Sequence, residues 1–163
     1  PRLAALGLVA SMQPVQATSD MAVVDRYWGQ RGEGAYAFRT LLEHGTRLAF
    51  GSDAPVETIA PLAGIHAAVT RCAADGRPGP AGWYPRQRLS VAEAVHGYTV
   101  GAAWAAGEEA DRGSLSPGKL ADLVVLDRDI FAGPPSAIVQ TRVLGTMVDG
   151  AWAYLDDAFD PGS

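Results

Sequence analysis

Two short apolar runs, "LGLVASM" at residues 6–12 and "TRLAFGSD" at residues 46–53, bracket a stretch with helical periodicity, and this arrangement restricts the fold more than any other feature. Apolar runs of that length, closed by polar or turn residues, read as strands covered on both faces, the habit of parallel sheets. Between them Phe38, Leu41 and Leu42 fall at i, i+3 and i+4, predicting a helix from about Gly34 to His44. Gly45 then stands where a left-handed C-terminal cap is favoured. Pro61 opens a second predicted helix, with Leu62, Ile65, Val69 and Cys72 along one buried face. Residues 6 to 75 therefore read strand–helix–strand–helix, an α/β unit with parallel strands and a right-handed crossover.

The remaining segments are more local. "VQATSD" supplies loop and cap residues after Gln13-Pro14, and a polar loop is expected around Arg26, Gln30, Arg31 and Glu33. "DGRPGPAGWYPRQR" breaks the second helix with glycine and proline. Ser90 with Glu93 forms a capping-box pattern, and Val91, Val95, Tyr98 and Ala102 mark the inner face of the next helix. The last third changes character: a Pro-Gly turn precedes a strand at residues 122–127, and Asp149-Gly150 marks a type I′ hairpin inside "VLGTMVDGAWAYL". The tail "DDAFDPGS" is expected to be loose.

Charge and composition narrow the function classes. With a net charge of −5 and no basic stretch, nucleic acid is not an expected partner. No run approaches the ~18 continuous apolar residues of a membrane span, so no membrane is expected either. The one cysteine, Cys72, excludes an intramolecular disulfide framework and fits a reducing compartment, so the expected location is cytoplasmic.

Asp53 is the chemical puzzle. An ionisable carboxylate at the end of an apolar strand is costly unless paired, hydrogen-bonded or bound to a metal. Ligands bind at the carboxyl ends of strands in parallel α/β folds, where Asp53 could act as a general base or a metal ligand. A structural or helix-capping role is the alternative.

Three ordered motifs, "LAFGSDAPVETIAPLAGIHAAVTR", "SVAEAVHGYTVGAAWAAG" and "GSLSPGKLADLVVLDRDIF", resemble the C-terminal part of metal-dependent amidohydrolases, in the amidohydrolase family 3 branch. "LGLVASMQPVQATSD" resembles the seventh barrel strand of that branch and "LAFGSD" the eighth, while the Asp149-Gly150 hairpin is similar to strands of the small β-sandwich domain. The resemblance implies the last two βα units of a (β/α)8 barrel, with residues 1–112 in the barrel part, 113–156 in the small β domain and 157–163 as tail. It implies hydrolysis of a non-peptide C–N bond in an amide, imide or cyclic amide. Asp53 would contact a divalent metal, zinc by first choice, and take a proton from the hydrolytic water. The remaining ligands, among them a His-x-His pair, would lie before Pro1, so the chain by itself is expected to be inactive. The implied partners are a small amide-type substrate and an N-terminal barrel half; a homo-oligomer is compatible with both.

Other side chains carry weaker readings. Gln13 and Gln16 stand at the mouth of the first strand, where they could meet substrate or merely pack a loop; many relatives resembling this chain have histidine at the position of Gln16. Arg71 could bind an anionic substrate or form a structural ion pair, and Trp83 and Tyr84 could wall a pocket or cover a helix. His44, His66 and His96 fall on helices without metal-ligand spacing and read as structural, as do Lys119 and Asp122, expected to form a salt link beside a turn. A self-contained, non-catalytic α/β binding module is the competing interpretation of the whole chain.

Overall fold

The computed structural model describes residues 1–162, with both parallel and antiparallel sheet. β1 (Val9–Met12) and β2 (Arg47–Phe50) pair in parallel, Val9 opposite Arg47 and Met12 opposite Phe50. Their carboxyl ends therefore lie side by side, and whatever follows Met12 and Phe50 emerges at one edge. The first expected strand is shorter than its apolar run, because Arg2–Ala5 forms a turn of helix (α1) and Gly7, at φ 66°, redirects the chain. On β2, Leu48, Ala49 and Phe50 are buried as expected for a covered strand, whereas β1 is half-buried with Ser11 exposed.

The crossover holds more helix than its sequence suggests. After α2 (Gln16–Ser19), residues expected to be a polar loop form α3 (Met21–Trp28) and a 3-10 turn over Gly29–Gly34. Met21 and Val24, one helical turn apart, are buried and supply the apolar stripe, while Val23, Tyr27 and Trp28 on the same helix stay exposed and blur it. The helix expected from Gly34 begins at Phe38, because Tyr36 sits at φ 51°, outside helical space, and α4 runs Phe38–Glu43. The expected Gly45 turn is present, with φ 77°.

α5 (Pro61–Thr70) starts at its proline but ends before Cys72, since Arg71 adopts a left-handed conformation at φ 59°. Cys72 is buried all the same. The capping box is complete: Ser90 Oγ accepts from the Glu93 amide, and Glu93 Oε2 accepts from the Ser90 amide at 2.7 Å. The following helix is two, α6 (Val91–Tyr98) and α7 (Val100–Ala106), parted at Thr99. The expected Val91, Val95 and Tyr98 pack half-buried against the core, and the positions buried more deeply beside them are Ala94, Gly97 and Gly101. Small residues are needed there because the backbone presses on β2: a Cβ at Gly97 would lie 2.5 Å from the Phe50 ring.

The antiparallel sheet has the order β3-β4-β5, from Leu123–Leu126, Val143–Val148 and Ala151–Leu155. Asp149 and Gly150 connect the last two strands with φ of 49° and 77°, both positive as a type I′ turn requires. Lys119 does not bond Asp122: its Nζ donates to the carbonyls of Glu109 and Arg112, while Asp122 pairs with Arg112 at 3.8 Å and accepts from the Asp149 amide. A 3-10 segment, Pro135–Gln140, packs against α5 and inserts Ile138 into the main core.

That core joins Phe38, Phe50, Ile65, Leu89, Ile130 and Ile138, each of which stabilises the fold by about 1.5–3 kcal/mol through burial. Phe50 sits at its centre, edge-on to Phe38 at 5.4 Å and to Tyr98 at 5.6 Å. Among the described residues no helix is long and apolar enough to cross a membrane.

Candidate active site

The two parallel strands deliver their loops to one place. The Gly51 amide donates to the Met12 carbonyl at 3.2 Å, carrying the ladder just past β2, after which Ser52 and Asp53 leave the sheet. Asp53 lies at φ 59°, a left-handed conformation uncommon for non-glycine residues but accessible to aspartate. Its carbonyl accepts from the amides of Val56 at 2.8 Å and Glu57 at 3.2 Å, closing a turn that fixes the backbone. The carboxylate is exposed and caps no helix: the N-cap of α5 is Ala60.

What the Asp53 carboxylate does meet is Gln16, whose Nε2 donates to Oδ2 at 2.6 Å. Gln16 opens α2 immediately beyond β1, with its own amide bonded to the carbonyl of half-buried Gln13 at 3.1 Å. Gln13 thus shapes the turn that presents Gln16. At the far end of α2, Asp20 accepts a hydrogen bond of 2.5 Å from the Tyr36 hydroxyl. Burial, together with that carboxylate, raises the Tyr36 phenol well above its ordinary range, so it stays protonated and donating.

Arg71 and Trp83 lie elsewhere. Arg71 has no exposed surface; its Nε donates to the Trp83 carbonyl at 2.9 Å and its Nη1 to the Tyr36 carbonyl at 3.1 Å. The guanidinium lies 5.3 Å from the Phe38 ring centre and 5.0 Å from that of Trp83. Desolvation pulls Arg71 down to about 10, which leaves it a cation at neutral pH. Trp83 is 6% exposed and spends its indole N–H on Asp25 at 2.9 Å. Each was read as either a substrate contact or a structural residue; among the described residues, Arg71 Nε and Nη1 and the Trp83 indole fasten the loop after α5 to Tyr36 and Asp25. Neighbouring Tyr84 lines an open groove of about 530 Å³ with Asp25, Gln30 and Glu33.

The histidines do not gather. His44, exposed at the end of α4, bonds the Thr40 carbonyl through Nδ1 at 2.7 Å. His66 is buried in α5, where desolvation lowers its pKa, and His96 is exposed on α6. Among the described residues no three His, Cys, Asp or Glu side chains come together as a metal site would require. Zinc takes three protein ligands and a water, so Asp53 with an amide at its side does not by itself fit the ion.

Comparison with known proteins bears on what a carboxylate in this position belongs to. "Putative amidohydrolase YtcJ" of Bacillus subtilis (strain 168) is 35% identical over 154 residues, 94% of this chain and 29% of the relative. N-substituted formamide deformylase of Arthrobacter pascens is 32% identical over 155 residues, again 94% of this chain and 28% of the relative. An uncharacterized metal-dependent hydrolase from Pyrococcus furiosus superposes with a TM-score of 0.65 at 34% identity, over 80% of this chain and 25% of that one. The chain spans less than a third of the length of these relatives. Residues 1–154 match the amidohydrolase family. The chain therefore belongs to amidohydrolase family 3.

Proposed function

We propose that this chain is the carboxyl-terminal segment of a metal-dependent hydrolase of non-peptide C–N bonds, in which Asp53 is the general base. The observation that carries the reading is the place of Asp53: an accessible carboxylate on a fixed turn, at the shared carboxyl end of two parallel strands. β1 and β2 correspond in this reading to the last two strands of an eight-stranded barrel, and β3 to β5 to part of a small β domain. A barrel of that kind takes about 200 residues or more, so the chain supplies part of one, and the other part is its first partner. Family membership supports the hydrolase class, and the deformylase relative points to N-substituted formamides as the first substrates to try.

A water beside Asp53 attacks the carbonyl carbon while an Asp53 oxygen accepts its proton, forming the new C–O bond and a tetrahedral intermediate. The same proton passes to the leaving nitrogen as the C–N bond breaks, and the carboxylate is restored. The described residues do not fit a metal by themselves, and a metal would need ligands beyond this set.

A chimera tests the reading. This chain replaces the matching segment of N-substituted formamide deformylase, and hydrolysis of an N-substituted formamide is followed. Turnover by the chimera, reduced at least about 100-fold by Asp53→Asn, is the expected result. Equal turnover with aspartate and asparagine would remove Asp53 from the chemistry.

A further inference from the structure

We propose that Gln16 is the positioning residue of Asp53: it holds Oδ2 so that Oδ1 is the oxygen left to accept a proton. The proposal rests on the reading of Asp53 as the general base, and concerns how that base is aimed. Asp53 has a fixed backbone, because its carbonyl receives the Val56 and Glu57 amides, yet an exposed carboxylate on a fixed backbone still turns about its two side-chain bonds. The bond from Gln16 Nε2 to Oδ2, at 2.6 Å, removes that freedom. It is charge-assisted, stronger than a bond between neutral groups. The direction of the amide follows as well, since an ionised carboxylate only accepts and Nε2 is the donating end of glutamine.

The backbone of Gln16 is itself held, so its side chain reaches for Asp53 from a set point. Its amide bonds the Gln13 carbonyl at 3.1 Å, and its carbonyl receives the Asp20 amide at 2.9 Å. Asp20 in turn is gripped by the Tyr36 hydroxyl, so the short α2 is tied at one end to the β2 loop and at the other to the segment before α4. The partners stand 37 residues apart, so the contact arises from the meeting of two strand ends and not from local turn geometry. The glutamine amide also does not ionise near neutral pH, and so aims the carboxylate without competing for the proton it takes.

The test is heteronuclear NMR of the whole chain, measuring the three-bond couplings that report rotation about the Asp53 Cα–Cβ bond. Wild type is expected to show one rotamer, with one Gln16 side-chain amide proton shifted downfield; Asp53→Ala abolishes that shift. Gln16→Leu, which keeps the bulk and loses the donor, moves the couplings to the averaged values of a freely turning side chain. Gln16→Asn, a methylene too short to reach, does the same. Unchanged backbone amide shifts outside residues 13–20 and 51–57 show that each variant is folded. Averaged couplings in wild type, or couplings unmoved by Gln16→Leu, would overturn the proposal. Turnover of the Asp53→Asn chimera decides separately whether Asp53 is the base, so the two ideas fail by different measurements.

Discussion

Arg71 and Trp83 hold one another reciprocally: the Trp83 amide donates to the Arg71 carbonyl at 2.8 Å, and Arg71 Nε donates back to the Trp83 carbonyl at 2.9 Å. A two-way clasp of this kind closes the loop between α5 and α6. The guanidinium reaches on to the Tyr36 carbonyl, so one buried cation ties three stretches of chain together.

Arg71→Met keeps most of the volume but leaves the Trp83 and Tyr36 carbonyls without this donor. The Tyr36 carbonyl keeps the Phe38 amide at 2.9 Å, so the Trp83 carbonyl is the acceptor that loses its partner. An unsatisfied buried acceptor costs about 1–3 kcal/mol, and a loss of that order is expected in urea unfolding. Arg71→Lys does not restore it, because an ammonium lacks the planar fork that reaches both carbonyls. A midpoint within error of wild type for either variant would contradict the clasp.

The second link is ionic. Arg39 faces Glu93 with Nη1 to Oε1 at 2.7 Å and Nη2 to Oε2 at 2.6 Å, joining α4 to α6. The guanidinium, helped by the Ser90 cap, pulls the Glu93 carboxyl from 4.5 to about 2. A depressed carboxylate stabilises above its unfolded value and loses that contribution as pH falls through the folded one. The window is therefore pH 4.5 down to about 2. The pair is partly exposed, at 28% and 33% of the side chains, so after solvent screening its contribution is on the order of 1 kcal/mol. Urea midpoints at pH 6, at pH 4 and near the lower end of the window should fall less steeply in Arg39→Met than in wild type; parallel curves would count against the pair.

Close packing gives a sharper expectation. A methyl at Gly101 would run into the Leu48 carbonyl oxygen, a backbone atom of β2 that cannot step aside. Gly101→Ala should destabilise by roughly 1–3 kcal/mol, the usual range for overpacking. At Gly34 a methyl meets nothing within 4 Å, so Gly34→Ala serves as the near-neutral control. Similar thermal midpoints for the two variants would show that α7 does not press on β2 as described.

Metal content separates what the chain contributes from what it lacks. With Asp53 and no cluster of three ligating side chains among the described residues, the isolated chain is expected to retain far less than one zinc after dialysis. Elemental analysis should be the same for wild type and Asp53→Ala. Stoichiometric zinc in wild type, absent from the variant, would mean that the chain assembles a site from other groups.

Features that depend on near neighbours along the chain are legible in the amino-acid sequence. The capping box of Ser90 and Glu93, the Asp149-Gly150 turn and the proline start of α5 each arise from interactions a few residues long. The parallel pairing of β1 with β2 follows from two apolar runs and a helical spacer, because chain connectivity leaves few other ways to bury them. Asp53 is recognisable as a candidate by its place after an apolar strand. Its partner is not. Gln16 reads as a residue facing substrate or packing a loop, and Arg71 as a substrate or surface arginine, since nothing in a linear chain says which loop tips meet or which cation will be enclosed. Helix α3 is hidden in the same way, because its apolar residues Met21, Val23, Val24, Tyr27 and Trp28 do not mark one face, and the core takes up Met21 and Val24 while leaving the other three exposed. Short-range geometry and hydrophobic periodicity, both written in the residue order, thus set most of the local elements and the class of the fold. Which side chain holds Asp53 and which neighbours enclose Arg71 depends on the assembled fold, because those bonds join segments tens of residues apart that come within reach only after the strands have paired.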